Sequence, residues 1–295
     1  MRRLFLIMFL IAMPSVAALT PEQRAKIDEL TGARGTYTAE EDTHRVAFPR
    51  NDLKVMIEGR QYAPFMGFSS WAAFTSSSPG EAIIMGDIVL LEDEVNPAMS
   101  VALDNGLEVT ALHNHFFFAE PRAMFMHIGG HGTVENMAPA VRQMIAKISE
   151  IRSKAPNPAT SFPGPQIPDG NTITGAPIEA ILGSKGEANN GMFKITIGRK
   201  ATMHGREAGK QMGVNTWAAF AGTDQAAAVD GDFVVTAEEL QPVLKALRRA
   251  GINIVAIHNH MTEEQPRYIF LHYWGKGTAD ALAKGLKKAL DAQGK

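Results

Sequence analysis

One pattern of residues occurs twice in this chain, and that repetition limits its folds more than any other feature. His113-Asn114-His115, followed by Pro121-Arg122 and His127, returns as His258-Asn259-His260, followed by Pro266-Arg267 and His272. The copies extend well beyond these runs. Ile27-Asp28-Glu29-Leu30 leads to Gly32 and Gly35 as Ile178-Glu179-Ala180-Ile181 leads to Gly183 and Gly186. Trp71-Ala72-Ala73-Phe74 answers Trp217-Ala218-Ala219-Phe220, Gly86-Asp87 answers Gly231-Asp232, and Pro97 and Gly106 answer Pro242 and Gly251. The offset drifts only from 151 to 145 residues, so few insertions separate the copies. Such collinearity marks one structural unit built twice. Two matched units pack readily about a twofold axis, as the protomers of a C2 dimer do, so a pseudo-twofold arrangement is expected. The repeats span residues 27–150 and 178–292, and the Pro/Ser/Gly/Asn-rich stretch 153–176 between them has linker composition. Composition leaves open whether the halves are separate domains or share one core.

The second copy shows the local pattern more clearly. Phe193–Gly198 and Val214–Ala221 alternate as strands do, and Asp232–Thr236 supplies a third strand. Leu240, Val243, Leu244 and Leu247 have helical spacing, with Gly251 placed to end the helix. Ile252–Ile257 is an apolar, β-branched run leading into His258, Tyr268–Trp274 is the next strand, and Leu282, Leu286 and Leu290 stripe a last helix. Each repeat is therefore expected to be an α+β unit, a mixed or antiparallel sheet covered by helices.

The N-terminus, MRRLFLIMFLIAMPSVAALT, has the three parts of a secretory signal over residues 1–18: Arg2 and Arg3, the apolar run Leu4–Met13, and small residues at the cleavage site. An apolar run of about ten residues falls short of the ~20 that span a bilayer, so a periplasmic or secreted protein without a stable membrane anchor is expected. The chain has no cysteine, which removes disulfides, thiolate metal sites, cysteine nucleophiles and a lipid-acceptor cysteine. Of 29 Lys and Arg, two fall in the signal, leaving 27 against 31 acids. That balance offers no polybasic surface for nucleic acid.

Seven of the nine histidines lie in the repeated stretches. Residues two apart on a strand share a face, so His113 and His115 point together, as do His258 and His260. A short connection returns the next strand antiparallel and brings His127 or His272 level with its pair. Three imidazoles on adjacent strands suit a divalent ion, zinc above all, with open positions for water or substrate. A metal-free polar site using the same histidines is the alternative.

Glu94 and Glu239 stand three residues before Pro97 and Pro242. Thr236-x-x-Glu239 has the form of a capping box. Proline favours the first position of a helix, however, and a helix starting at each proline would free the glutamates to act as catalytic bases. Glu120, Glu263 and Glu264 fall in the loops between the histidine strands, where solvated acids are ordinary. Arg122 and Arg267 can hold a substrate anion or pair with local glutamates. Gly130-His131-Gly132-Thr133 and Lys276-Gly277-Thr278 suit a tight turn before the last helix of each copy, and His131 against Lys276 makes the copies chemically unequal. The two Trp-Ala-Ala-Phe runs read as core. Phe116-Phe117-Phe118, in an expected loop, can wall a pocket or cover the interface between repeats.

Together these motifs resemble the LppY/LpqO family of exported bacterial proteins, a domain of unknown function, over Ile27–Leu290. The chain departs from the family's namesakes in lacking the lipid-acceptor cysteine. The resemblance implies export and carries no reaction with it. The expected function is an exported, soluble metal-binding protein, a zinc-dependent hydrolase or lyase for a small anionic substrate. A non-catalytic envelope protein that binds a ligand or metal is the alternative. The sequence does not specify the oligomeric state.

Overall fold

The computed structural model describes residues 18–294, so the expected signal segment lies outside the described residues but for Ala18. Among the described residues, no helix is long and apolar enough to cross a membrane. The first repeat runs α1 (Pro21–Thr31), β1 (Thr36–Thr38), β2 (Thr43–Pro49), β3 (Met56–Ile57), β4 (Arg60–Gln61), β5 (Ser69–Ser78), β6 (Glu81–Leu91), α2 (Glu92–Asp104), β7 (Glu108–His113), β8 (Ala119–Glu120), β9 (Ala123–Gly132) and α3 (Val134–Lys154). The second runs α4 (Gly175–Leu182), β10 (Gly186–Asn189), β11 (Met192–Gly198), β12 (Ala201–Met203), β13 (Arg206–Ala208), β14 (Asn215–Gly222), β15 (Ala227–Val235), α5 (Ala237–Arg249), β16 (Asn253–His258), β17 (Ile269–Gly277) and α6 (Ala279–Leu290).

Twelve of these strands form one sheet in the order β1-β2-β5-β6-β9-β7-β16-β17-β15-β14-β11-β10, the same from either edge once repeat-equivalent strands are matched. Every neighbouring pair is antiparallel. Residues of both sheet halves and of all six helices, among them Ile27, Phe74, Val141, Ile178, Phe220, Leu244 and Leu286, belong to a single apolar core. The halves are therefore fused through sheet and core. The α+β expectation holds, with an antiparallel sheet in place of a mixed one.

Pleating separates the two faces. Ala72, Phe74, Ala218 and Phe220 enter the core, while Trp71 and Trp217 sit half-buried on the opposite face. There Arg45 and Lys194 lie 4.0 and 4.5 Å from the two indole rings. The expectation that the tryptophans are core is corrected accordingly. The Gly-Asp landmarks follow from the same alternation. A Cβ on Gly86 would stand 2.8 Å from Ile128, and one on Gly231 2.1 Å from the Tyr273 hydroxyl. Only glycine fits on the core side, and the next residue, Asp87 or Asp232, turns to the opposite face. Replacing Gly231 by alanine is expected to cost about 1–3 kcal/mol through overpacking, checked by urea denaturation. An unchanged midpoint would show that Tyr273 can yield without loss.

At the centre of the sheet, β7 and β16 share one registered pair, Leu112 with Ile257, which are equivalent residues of the two repeats. Each of these strands is bulged against its outer neighbour, between Val109 and Ala111 and between Ile254 and Ala256. Side-chain amides replace the missing ladder. Asn96 of α2 accepts from the Ile254 N–H at 2.8 Å and donates to its carbonyl at 3.1 Å. Gln241 of α5, the equivalent residue, accepts from the Val109 N–H at 2.9 Å and donates to its carbonyl at 2.9 Å. An amide is suited to this because it carries an acceptor and a donor side by side, as a peptide group does. Asn96→Ala and Gln241→Ala are each expected to cost about 1–3 kcal/mol by leaving buried backbone groups unpaired, checked by chemical denaturation. A cost near zero for both would show that the clamp is dispensable.

Candidate metal centre

The second centre lies where β15, β17 and the end of β16 meet, on the face carrying the tryptophans. His272 stands opposite Asp232 on β15 and opposite Ala256 on β16. His258 ends its strand, so His260 follows in the loop and not on the strand as the spacing predicts. It returns to the same side by laying its ring on Phe270. The His258 ring is 5.1 Å from that of His260 and 4.7 Å from that of His272.

Hydrogen bonding aims these rings. His272 Nδ1 lies 3.3 Å from the Gly231 carbonyl and His260 Nδ1 lies 3.4 Å from that of Gly213, which leaves both Nε2 atoms to the centre. Backbone partners of this kind set the tautomer of metal-binding histidines. His260 Nε2 is 3.1 Å from Asp232 Oδ2. At ~2.0–2.1 Å per bond, neighbouring ligand atoms on a tetrahedral zinc ion stand about 3.3 Å apart, so this spacing is already that of a coordination edge. Ligand atoms of Asp232, His258 and His272 lie within 4.8 Å of one another. His258 Nε2 and Asp232 Oδ1 are buried with no hydrogen-bond partner. Burial holds the His258 pKa below its ordinary value, with the Asp232 charge acting in the opposite sense.

The first centre repeats the scheme more loosely. Asp87 stands opposite His127, and Asp87 Oδ1 is buried without a partner. The His113 ring is 5.2 Å from those of His115 and His127, and His115 stacks on Phe125. Among the described residues, the tight convergence of ligand atoms is found at the second centre. The structure thus brings each predicted histidine triad together on one face and adds an aspartate to each. Sequence reasoning treated Asp87 and Asp232 only as landmarks. The available signal was an acid on a strand, one residue after an obligatory glycine, in both copies.

Glu94 and Glu239 have other partners. Helices α2 and α5 begin at Glu92 and Ala237, so Pro97 and Pro242 lie inside them and the predicted start at each proline is corrected. Glu94 and Glu239 accept from the N–H of Leu91 at 2.8 Å and of Thr236 at 2.9 Å, as capping glutamates do. Glu94 is fully buried, with Arg50 on both oxygens at 2.8 and 2.9 Å and the Arg152 Nε at 2.8 Å. Glu239 pairs with Arg199. Four contacts occupy both oxygens of Glu94, whereas both bonds of Glu239 fall on Oε2. Arg122 pairs with Glu92 at 3.3 Å and Arg267 donates to the Thr262 carbonyl at 3.2 Å, both exposed. Glu263 is exposed beside His204, whereas Glu264 is buried and accepts from the Tyr268 N–H. His131, beside Ser77 and Glu81, is exposed at the far end of β9. Asp230 on β15 lines a recess with His272 and Trp274, and partial desolvation raises its pKa. Glu94→Ala removes a buried partner shared by Arg50 and Arg152, which keep Asp52 and Asp93, and is expected to cost about 1–3 kcal/mol. Differential scanning calorimetry checks this, and a small shift in Tm would show that the arginines find water or other partners.

Comparison with known proteins bears on kinship alone. No curated protein matches the chain significantly. Among solved structures, that of a trimeric bacterial microcompartment shell protein, PduB, is similar over 88% of this chain and 89% of that one, at 12% identity and a TM-score of 0.23. At that score the likeness carries no argument about fold, assembly or activity. The family described as Domain of Unknown Function (DUF1259) matches residues 25–147 and again 176–292. The chain belongs to this family and contains its domain twice in tandem.

Proposed function

We propose that this is an exported metalloprotein of the LppY/LpqO type whose two repeats pack about a pseudo-twofold axis and whose second repeat holds a divalent ion, zinc foremost. His258, His260, His272 and Asp232 are the ligands, and His113, His115, His127 and Asp87 form a weaker equivalent. The observation that carries the reading is the convergence of Asp232, His258 and His272, with two of their ligand atoms buried and unpartnered. Leaving such atoms unpaired costs about 1–3 kcal/mol each, and a bound cation removes that cost.

A zinc ion so held lowers the pKa of bound water to ~7 or polarises a carbonyl, which supports hydrolase or lyase chemistry. The protein's part is to supply an acid or base beside it. Asp230, in the recess with His272, occupies that place, and Met85 replaces it in the first repeat. The commitment of Glu94 and Glu239 to arginines favours a second reading, in which the protein binds a ligand or metal in the envelope without turnover. Asp230→Asn separates the two: a binder keeps its function, and an enzyme loses turnover while keeping its metal.

Protein purified without chelator or His-tag is expected to carry one tightly held ion per chain by elemental mass spectrometry, with a second bound more weakly. Asp232→Asn combined with His258→Ala is expected to weaken zinc binding at least tenfold, a loss of about 1.4 kcal/mol or more. His113→Ala combined with His115→Ala should leave the tight site intact. Uptake should fall as pH drops through the imidazole range, because the ligands must be deprotonated. Unchanged metal content in the Asp232/His258 variant would overturn the assignment.

A further inference from the structure

The parting of β7 and β16 on one side of the Leu112–Ile257 pair opens a groove between the repeats of about 840 Å³. His113 of the first centre and His258 of the second both line it. A recess of about 360 Å³ shares Phe162 and Val255 with the groove and reaches His272, so it adjoins the groove on the side of the second centre. Much of the groove's lining is apolar, with Phe116 and Phe117 of the HNHFFF loop, Met124, Val255 and Phe162 of the inter-repeat segment, while Glu92, Asp93 and Arg122 add charge to it. Phe162 is held there because the Ala159 N–H donates to Asp93 at 3.0 Å, and Asp93 is itself paired with Arg152. Phe117 is 79% exposed and Phe118 81%, and Phe118 has φ +57°. A bulky residue in that backbone region is strained, and the strained loop keeps aromatic rings at the groove instead of in the core.

Resting on the metal reading above, we infer that the groove takes an amphiphile: an anionic, metal-ligating head at the second centre and an aryl or branched apolar body along Phe116, Phe117 and Phe162. Three observations choose this class over the small anion expected from the arginines. A volume near 840 Å³ falls in the range of ~300–1,000 Å³ typical of drug-sized ligands, far more than a few-atom acid fills. Arg122 stands exposed and paired with Glu92, and Arg267 is turned to a backbone carbonyl, so neither is a free anion hook. Two residues lining the groove carry a buried, unpartnered atom, Asp93 Oδ1 and His258 Nε2; the imidazole nitrogen belongs to the second centre, where it calls for a cation and, through it, an anionic head.

The test uses protein loaded with cobalt(II), whose absorption bands report ligation of the ion, titrated with acetohydroxamate and with 4-phenylbutyrohydroxamate. Both compounds should shift the bands, and the phenyl compound should bind roughly tenfold tighter or more, from the apolar area it buries. The double variant Phe117→Ala with Phe162→Ala should abolish that advantage, and circular dichroism checks that the variant is folded. Equal affinity for the two compounds would overturn the groove assignment while leaving the metal centre standing. Tighter binding of the phenyl compound with no band shift would place its head elsewhere and overturn the inference. Absence of cobalt bands in the loaded protein would remove the metal reading and this inference with it.

Discussion

The architecture depends on how the two repeats are joined at the middle of the sheet. A full antiparallel ladder between β7 and β16 would zip the halves together and close the groove. The structure uses one registered pair and two side-chain amides, each satisfying both backbone groups of a residue in the other repeat. The exchange is reciprocal between equivalent residues of the two repeats. The bulges in β7 and β16 belong to the same device. By adding a residue on each strand they let Val109 and Leu112, or Ile254 and Ile257, all face the core. His113 and His258 thereby emerge on the opposite face, beside their partners His127 and His272.

On this repeated frame the two copies have diverged near the histidine clusters. Asp230 and Glu264 of the second repeat correspond to Met85 and Ala119 of the first. The segment around Phe162 lies on one side of the centre line, against Asp93, and has no second copy. Small satellite clusters flank both centres with matching residues: Val55, Phe68, Val89 and Phe125 in one, Ala201, Val214, Val234 and Phe270 in the other. Packing and the Asp87 and Asp232 carboxylates have been kept twice, while Asp230, Glu264 and the covering segment occur once.

Much of this was legible in the sequence. The repeat set the order of elements, and the residue pattern located β11, β14 and β16 to within a residue, while β17 runs three residues past Trp274 and β15 starts five before Asp232. The histidine spacing brought each triad to one face. What was missed has identifiable causes. The tryptophans were assigned to the core because alternation alone does not say which face of a strand is inward; cation–π stacking on Arg45 and Lys194 makes the other face tolerable. Pro97 and Pro242 misled because helix position was judged from proline preference, whereas the capping glutamates fixed the start five residues earlier. Asp87 and Asp232 escape a local reading because their partners lie three and two strands further along the chain and become neighbours only through the register of β6 with β9 and of β15 with β17. The groove depends on the partial pairing of β7 with β16, which no local pattern encodes.

In the proposed assignment His258, His260, His272 and Asp232 together hold a metal ion. Anomalous diffraction at the zinc absorption edge, from crystals of zinc-loaded protein, tests it most directly. The account predicts a peak among the three Nε2 atoms and the Asp232 carboxylate, at ~2.0–2.1 Å from each bonded atom. Anomalous signal confined to surface sites, with His260 still on Asp232 and His258 Nε2 still unpartnered, would contradict it.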